Sequence, residues 1–185
     1  MANALTVARL LLVAPFAALV VRGDAHSAAL AAVLLVAAIA TDLADGPVAR
    51  RLGTVSTTGG TLDHTSDFLF VTSGLSAAAY RGTVSWVLPV LITAAFAQYF
   101  IDSHWVHRSP ALRGSWLGRY NGILYFVPLG TDLLVCMGLD ALRALETLLV
   151  WMLVVSTFVS MALRLTSAKR ALELPAAETA GQSRR

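Results

Sequence analysis

Residues 28–67 read AALAAVLLVAAIATDLADGPVARRLGTVSTTGGTLDHTSD, and the placing of charge within them decides the fold. An uncharged run from Ala28 to Thr41 ends on Asp42 and Asp45, and after a glycine-containing polar loop Asp63 and Asp67 open the next apolar segment. A helix crossing a bilayer needs about 20 mostly apolar residues, which 26–49 supplies. An ionised carboxylate at membrane depth costs on the order of 3 kcal/mol, so four of them at one level require partners. Asp42 and Asp45 are three apart, and Asp63 and Asp67 four apart, so each pair shares one face of its helix. The connecting loop is short, which makes the two helices antiparallel neighbours whose acidic faces can meet. Four hard oxygen donors favour Mg²⁺ or Mn²⁺ over zinc, which prefers imidazole and thiolate.

The rest of the chain has the same character. Of its 185 residues 57% are hydrophobic and 14% charged, whereas a soluble domain is about a quarter charged. Too few polar side chains remain to cover a globule in water, so lipid is the implied solvent. Apolar segments lie at 4–21, 26–49, 61–80, 84–104, 121–138 and 141–165. The expectation is an all-α integral membrane protein with six transmembrane helices, forming one domain over 1–166 followed by a polar cytoplasmic tail at 167–185. The first segment has no basic stretch before its apolar run, so it reads as a retained helix and not a cleaved leader. With the N-terminus inside, only Arg22, Arg81 and Arg143 of the 14 basic residues fall outside. The positive-inside rule then places both termini and the acidic loop in the cytoplasm. The net charge of +3 comes without a basic–aromatic stripe, which excludes nucleic acid as a partner. Cys136, the single cysteine, reads as a buried, inert thiol.

Glycines and an arginine extend the acidic cluster toward a substrate. Gly46 follows Asp45, and Gly59 and Gly60 precede the third apolar segment. Lacking Cβ, they admit a ligand close to the backbone, and Gly59 and Gly60 bring free amides to a helix N-terminus, a natural phosphate site. Arg50 lies one turn beyond Gly46 and can pair with a phosphate. Acids, glycines and arginine together describe a metal-dependent diphosphate site suited to displacement at phosphorus.

The same residues form D-x2-D-G-x2-A-R-x8-G-x3-D-x3-D, on Asp42, Asp45, Gly46, Ala49, Arg50, Gly59, Asp63 and Asp67. This resembles the signature of the CDP-alcohol phosphotransferases (class I), membrane enzymes of phospholipid biosynthesis, and the likeness extends over residues 3–166. NALTVAR is similar to an Asn-x-x-Thr-x-x-Arg stretch found early in many members, which brings in Asn3, Thr6 and Arg9. SWLGRYNG resembles the Ser-x-x-Gly-Lys-x-Lys-Thr segment of phosphatidylglycerophosphate synthases, with Arg119 and Asn121 in place of the lysines. The resemblance implies two metal ions on Asp42, Asp45, Asp63 and Asp67, with Asp67 also the general base. It implies donor contacts at Asn3, Thr6, Gly46, Ala49, Arg50, Ser56 and Gly59, and it points to Arg113 and Arg119 for the acceptor. The implied reaction moves a phosphatidyl group from a CDP-linked lipid, CDP-diacylglycerol above all, to a small alcohol with release of CMP. A homodimer in a bacterial inner membrane, its site facing the cytoplasm, is the implied setting. The nearest members are phosphatidylglycerophosphate synthases, with inositol-phosphate or aminoalcohol acceptors as alternatives.

Other features admit plainer explanations. His64 within DHTSD echoes the Asp-His-Gly-Cys-Asp of aminoalcohol members at two residues only. Asp102, His104 and His107 lie at a helix end and read as solvated or headgroup contacts, and Trp86, Trp105, Trp116 and Tyr120 as interfacial aromatics. A small ion transporter would spread its acids through the bilayer depth, whereas these gather at one end of two helices. A catalytically dead scaffold would be free to lose an aspartate, and none of the four is missing.

Overall fold

A computed structural model describes the backbone of residues 2–51, 57–101 and 116–173, and the side chains of 7–42, 62–101, 118 and 120–166. The described residues are helical, with no strand: α1 (Ala2–Arg22), α2 (Ala25–Arg51), α3 (Thr57–Arg81), α4 (Val87–Ile101), α5 (Trp116–Leu124), α6 (Phe126–Cys136) and α7 (Arg143–Glu173). Asp24 starts α2 by accepting a hydrogen bond from the Ser27 N–H at 2.9 Å, a carboxylate N-cap. Hydrogen bonding to Ser27 holds the Asp24 carboxyl below its ordinary range. The fifth apolar segment is divided at Tyr125. Pro128 has no N–H to offer the carbonyl of Leu124 and its ring crowds that carbonyl, so the helical hydrogen bonding is interrupted at Tyr125, itself at φ −63° and ψ −21°, and resumes as α6.

Among the described residues, two helical stretches, Ala25–Asp42 and Asp140–Thr166, are long and apolar enough to cross a membrane. Helix α7 shows which side faces what. Glu146, Val150, Leu153, Thr157 and Ser160 are buried, while Leu148, Trp151, Met152, Val155 and Phe158 are exposed. Polar groups turned inward and large apolar ones outward invert the pattern of a helix on a water-soluble protein, and they fit an apolar surrounding.

Helix α1 is the keystone. Among the described residues it packs along both α3 and α2, which share no comparable seam with each other there. The expected meeting of the acidic faces of α2 and α3 is found at Asp42, Asp63 and Asp67. Small residues make the approach close. Ala28, Ala31, Leu35 and Ala38 form the buried stripe of α2, and small residues are the usual means of close helix contact in lipid. On α3, Gly74 leaves room for Phe16, which stacks on Phe70 with ring centroids 4.3 Å apart, and for Leu129 of α6.

At the C-terminal end of α3 sits an ion pair that charge counting does not foresee. Arg81, assigned above to an outer loop, is mostly buried. It donates to both carboxylate oxygens of Asp132 (2.7 and 2.6 Å), the Val20 carbonyl (2.9 Å), the Cys136 sulfur (3.0 Å) and the Thr83 hydroxyl (3.1 Å). Asp132 is fully buried, and Glu146 of α7, also buried, lies beside it. Gly23, at φ +68°, makes space for this cation, since a Cβ there would stand 2.8 Å from Arg81 Cδ. The cluster joins α1, α3, α6 and α7. Cys136 is half-buried and has become an acceptor within it.

Candidate active site

At the opposite end of α3 the four-residue spacing carries out its promise. Asp63 and Asp67 project from one face, and Asp42 reaches the same point from α2. One carboxylate oxygen from each lies within 4.8 Å of the other two. Among them stands Arg9 of α1, placed there because α1 packs against both α2 and α3. Its Nη1 donates to Asp63 Oδ1 at 3.0 Å, to Ser66 Oγ at 3.2 Å and to Asp67 Oδ1, and its Nη2 pairs with Asp42 Oδ1 at 3.3 Å. Ser66 in turn donates to the Asp63 carbonyl at 2.8 Å. Arg9 is only 2% exposed, while the aspartates are partly open.

The open side of the triad leads into a cavity of about 700 Å³. Its lining includes Asp42, Asp63, His64 and Asp67 together with residues of α4, α5, α6 and α7. Lining groups are tied by hydrogen bonds: Tyr125 Oη and Thr157 Oγ1 share one of 2.6 Å, and Asn121 Oδ1 accepts from Ser156 at 2.8 Å. Arg164 also lines the cavity, its guanidinium 4.8 Å from the centre of the Tyr99 ring. Apolar side chains fill the remainder, among them Phe68 stacked on Phe96 at 4.0 Å.

Of the residues picked out in the sequence, Asp42, Asp63 and Asp67 converge, and Arg9 joins them. Asp45, Gly46, Ala49 and Arg50 lie on the last turns of α2, Gly59 on the first turn of α3, Asn3 and Thr6 on α1, and Arg119 on α5; their side chains lie outside the described residues, as does that of Trp116. Ser56, Asp102, His104, Trp105, His107 and Arg113 lie outside the described residues altogether, as does 174–185 of the tail. Arg164 was counted in the sequence only as a basic residue, and Asn121 only as a departure from a lysine. Periodicity carries a usable signal for Arg164: it follows Thr157 and Ser160 on the buried face of α7.

The profile of the CDP-alcohol phosphatidyltransferase family matches residues 1–162. The chain belongs to this family. A comparison with curated proteins found no match. As a CDP-alcohol phosphatidyltransferase family member it is a membrane-integral transferase that moves a phosphate-containing alcohol group from a CDP-alcohol. Members use divalent metals, and the residues present fit one. The donors are all carboxylate oxygens, the set that hard divalent cations select. The spot also accommodates positive charge, since a guanidinium already pairs with all three acids. The buried acids Asp132 and Glu146 lie at the other end of the bundle, and between the two ends the seam is filled by Phe16, Phe70, Leu75 and Leu129. That apolar filling does not suit an ion path.

Proposed function

We propose that this transferase moves a phosphatidyl group from CDP-diacylglycerol to the hydroxyl of a small phosphorylated alcohol, releasing CMP, as in phosphatidylglycerophosphate synthesis. The observation that carries this reading is the meeting of Asp42, Asp63 and Asp67 in a cavity that Arg164 also lines. Asp42, Asp63 and Asp67, with Asp45, would hold Mg²⁺ or Mn²⁺, two ions in all. When bound, the ions neutralise the diphosphate oxygens and the charge that develops on the departing phosphate. The protein's own groups do the remainder. The Asp67 carboxylate takes the proton of the acceptor hydroxyl. That oxygen forms a bond to the β-phosphorus, the bond from this phosphorus to the bridging oxygen breaks, and CMP leaves with the bridging oxygen. An ordinary carboxylate is a weak base, so positioning and charge neutralisation must lower most of the barrier.

Asn3, Thr6, Gly46, Ala49, Arg50, Ser56 and Gly59 belong in this scheme to the donor's nucleotide and diphosphate. Arg113 and Arg119 belong to the acceptor, and Arg164 joins them. A guanidinium lining the same cavity as the acids suits an acceptor phosphate, which favours glycerol 3-phosphate or an inositol phosphate over an aminoalcohol. Six membrane crossings, with both termini and the site on the cytoplasmic side of a bacterial inner membrane, complete the proposal. So do a catalytic unit over 1–166 with the tail 167–185 outside it, and a homodimer. The test is release of CMP from CDP-diacylglycerol by purified protein in detergent, with each acceptor in turn and with Mg²⁺, Mn²⁺ or chelator. Metal-dependent CMP formation with a phosphorylated acceptor is expected. Absence of CMP with every acceptor and both metals would overturn the proposal.

A further inference from the structure

Arg9 pairs with the same three carboxylates that the metal reading needs, and it is not on either aspartate-bearing helix. Its Nη1 lies 3.0 Å from Asp63 Oδ1 and also bonds Asp67 Oδ1, and its Nη2 lies 3.3 Å from Asp42 Oδ1. These carboxylates supply the oxygens that approach one another within 4.8 Å. A Mg²⁺ ion approaches its oxygen donors to about 2.1 Å, so an ion held by these carboxylates would compete with the guanidinium for them. Without any cation, three carboxylates would face each other at short range beside an apolar core, where repulsion between like charges is weakly screened.

We propose that Arg9 is an exchangeable counter-cation. In the metal-free protein it holds Asp42, Asp63 and Asp67 together, the entering divalent ion displaces it, and the released guanidinium becomes a positioning group for the donor's diphosphate. The inference rests on the reading of the triad as a metal site. Its geometry favours exchange over a permanent structural bridge. The guanidinium stem comes from α1, so Arg9 can withdraw while α2 and α3 keep their places, and the partly open acids leave a way in from the cavity. Ser66, bonded to Nη1 at 3.2 Å, gives the departing group a neutral intermediate partner.

Two readouts other than turnover test the exchange. Mn²⁺ binding, followed by loss of the free-ion electron paramagnetic resonance signal, compares the wild type with Arg9→Gln and Arg9→Lys. Removing a competing charge makes Arg9→Gln bind Mn²⁺ about ten-fold more tightly, while Arg9→Lys stays near the wild type. In chelator Arg9→Gln also melts earlier than the wild type, and Mn²⁺ closes the gap. Equal or weaker Mn²⁺ binding by a folded Arg9→Gln overturns the exchange while leaving the metal site intact. Absence of Mn²⁺ binding by the wild type overturns the metal reading itself. If Arg9→Gln does not fold, wild-type protein labelled with ¹⁵N-arginine is titrated with Mg²⁺. One buried guanidinium signal, assigned to Arg9 through its absence in Arg9→Lys, then shifts in step with occupancy. Saturation with Mg²⁺ without movement of that signal overturns the proposal.

Discussion

Replacing Asp132 by alanine removes one half of the ion pair that joins α3 to α6 and leaves Arg81 mostly buried without its carboxylate. Asp132 is 0% exposed, and Arg81 Nη2 reaches both its oxygens at 2.7 and 2.6 Å. Two unit charges centred about 4 Å apart attract by about 4 kcal/mol at the effective dielectric usual for proteins. Loss of one partner from a buried pair costs about 3–5 kcal/mol, because the survivor stays desolvated. The guanidinium keeps the Val20 carbonyl, Thr83 and Cys136 as acceptors and Glu146 as a neighbouring acid, which places the expected loss near the lower figure, about 3 kcal/mol. At about 2–4 °C per kcal/mol for a chain of this length, the melting midpoint falls by on the order of 10 °C. Replacing both partners, with Arg81→Met and Asp132→Leu, removes the uncompensated charge, and the double variant recovers most of the loss. Tryptophan fluorescence during unfolding in mixed micelles measures all three variants against the wild type. From Asp67 to Arg81 is 14 residues of helix, roughly 21 Å, so below its melting point Asp132→Ala keeps its CMP release. A cost below about 1 kcal/mol, or a double variant no better than Asp132→Ala, would refute the account of the pair as a buried tie.

Three further outcomes follow from the structure. Asp67→Asn is isosteric but cannot take a proton, so CMP release falls by about 10²–10⁴-fold or more with circular dichroism unchanged; near-normal turnover removes Asp67 from the role of base. Gly74→Val forces a side chain to where a Cβ alone stands 2.6 Å from Phe16 Cε1 and 3.0 Å from Leu129 Cδ1 and Cδ2. Overpacking of about 1–3 kcal/mol is expected, read as a lower unfolding midpoint. Asp24 caps α2 as a carboxylate with its pKa lowered by the Ser27 bonds. Its contribution is therefore complete above the pKa of an unfolded aspartate and is lost as pH falls through the lower folded value. Amide exchange in the first turn of α2 accelerates on that descent, and Asp24→Ala shows the faster exchange already at neutral pH.

Much of the fold and the heart of the site were legible in the sequence, and for local reasons. Hydropathy counts what each segment must keep from water, so the apolar stretches foretold α1, α2 and α4 nearly to their ends, while α3 begins four residues earlier and α7 runs eight residues further than its stretch. The break at Tyr125 was legible too, in Pro128, but an uninterrupted apolar run concealed it. Residue spacing shows which side chains share one helical face, and so Asp63 and Asp67 were paired correctly before any packing was known. The signature around them carried the family, which the profile match over 1–162 bears out.

What tertiary structure alone decided lies between residues far apart in the chain. Arg9 is 54 residues from Asp63 and 58 from Asp67, and it reaches them because α1 packs along both α2 and α3. Arg81 and Asp132 are 51 apart; the sequence offers a lone arginine in a short break and a lone acid in an apolar run, with no spacing to relate them. Short-range pattern records the chemistry each segment carries, since one helix turn fixes the directions of residues three and four apart. Which distant charges meet depends on how small and large side chains let the helices settle against one another, with Gly74 admitting Phe16 and Ala28, Ala31 and Ala38 drawing α2 inward. That choice is made by the packing of the whole bundle.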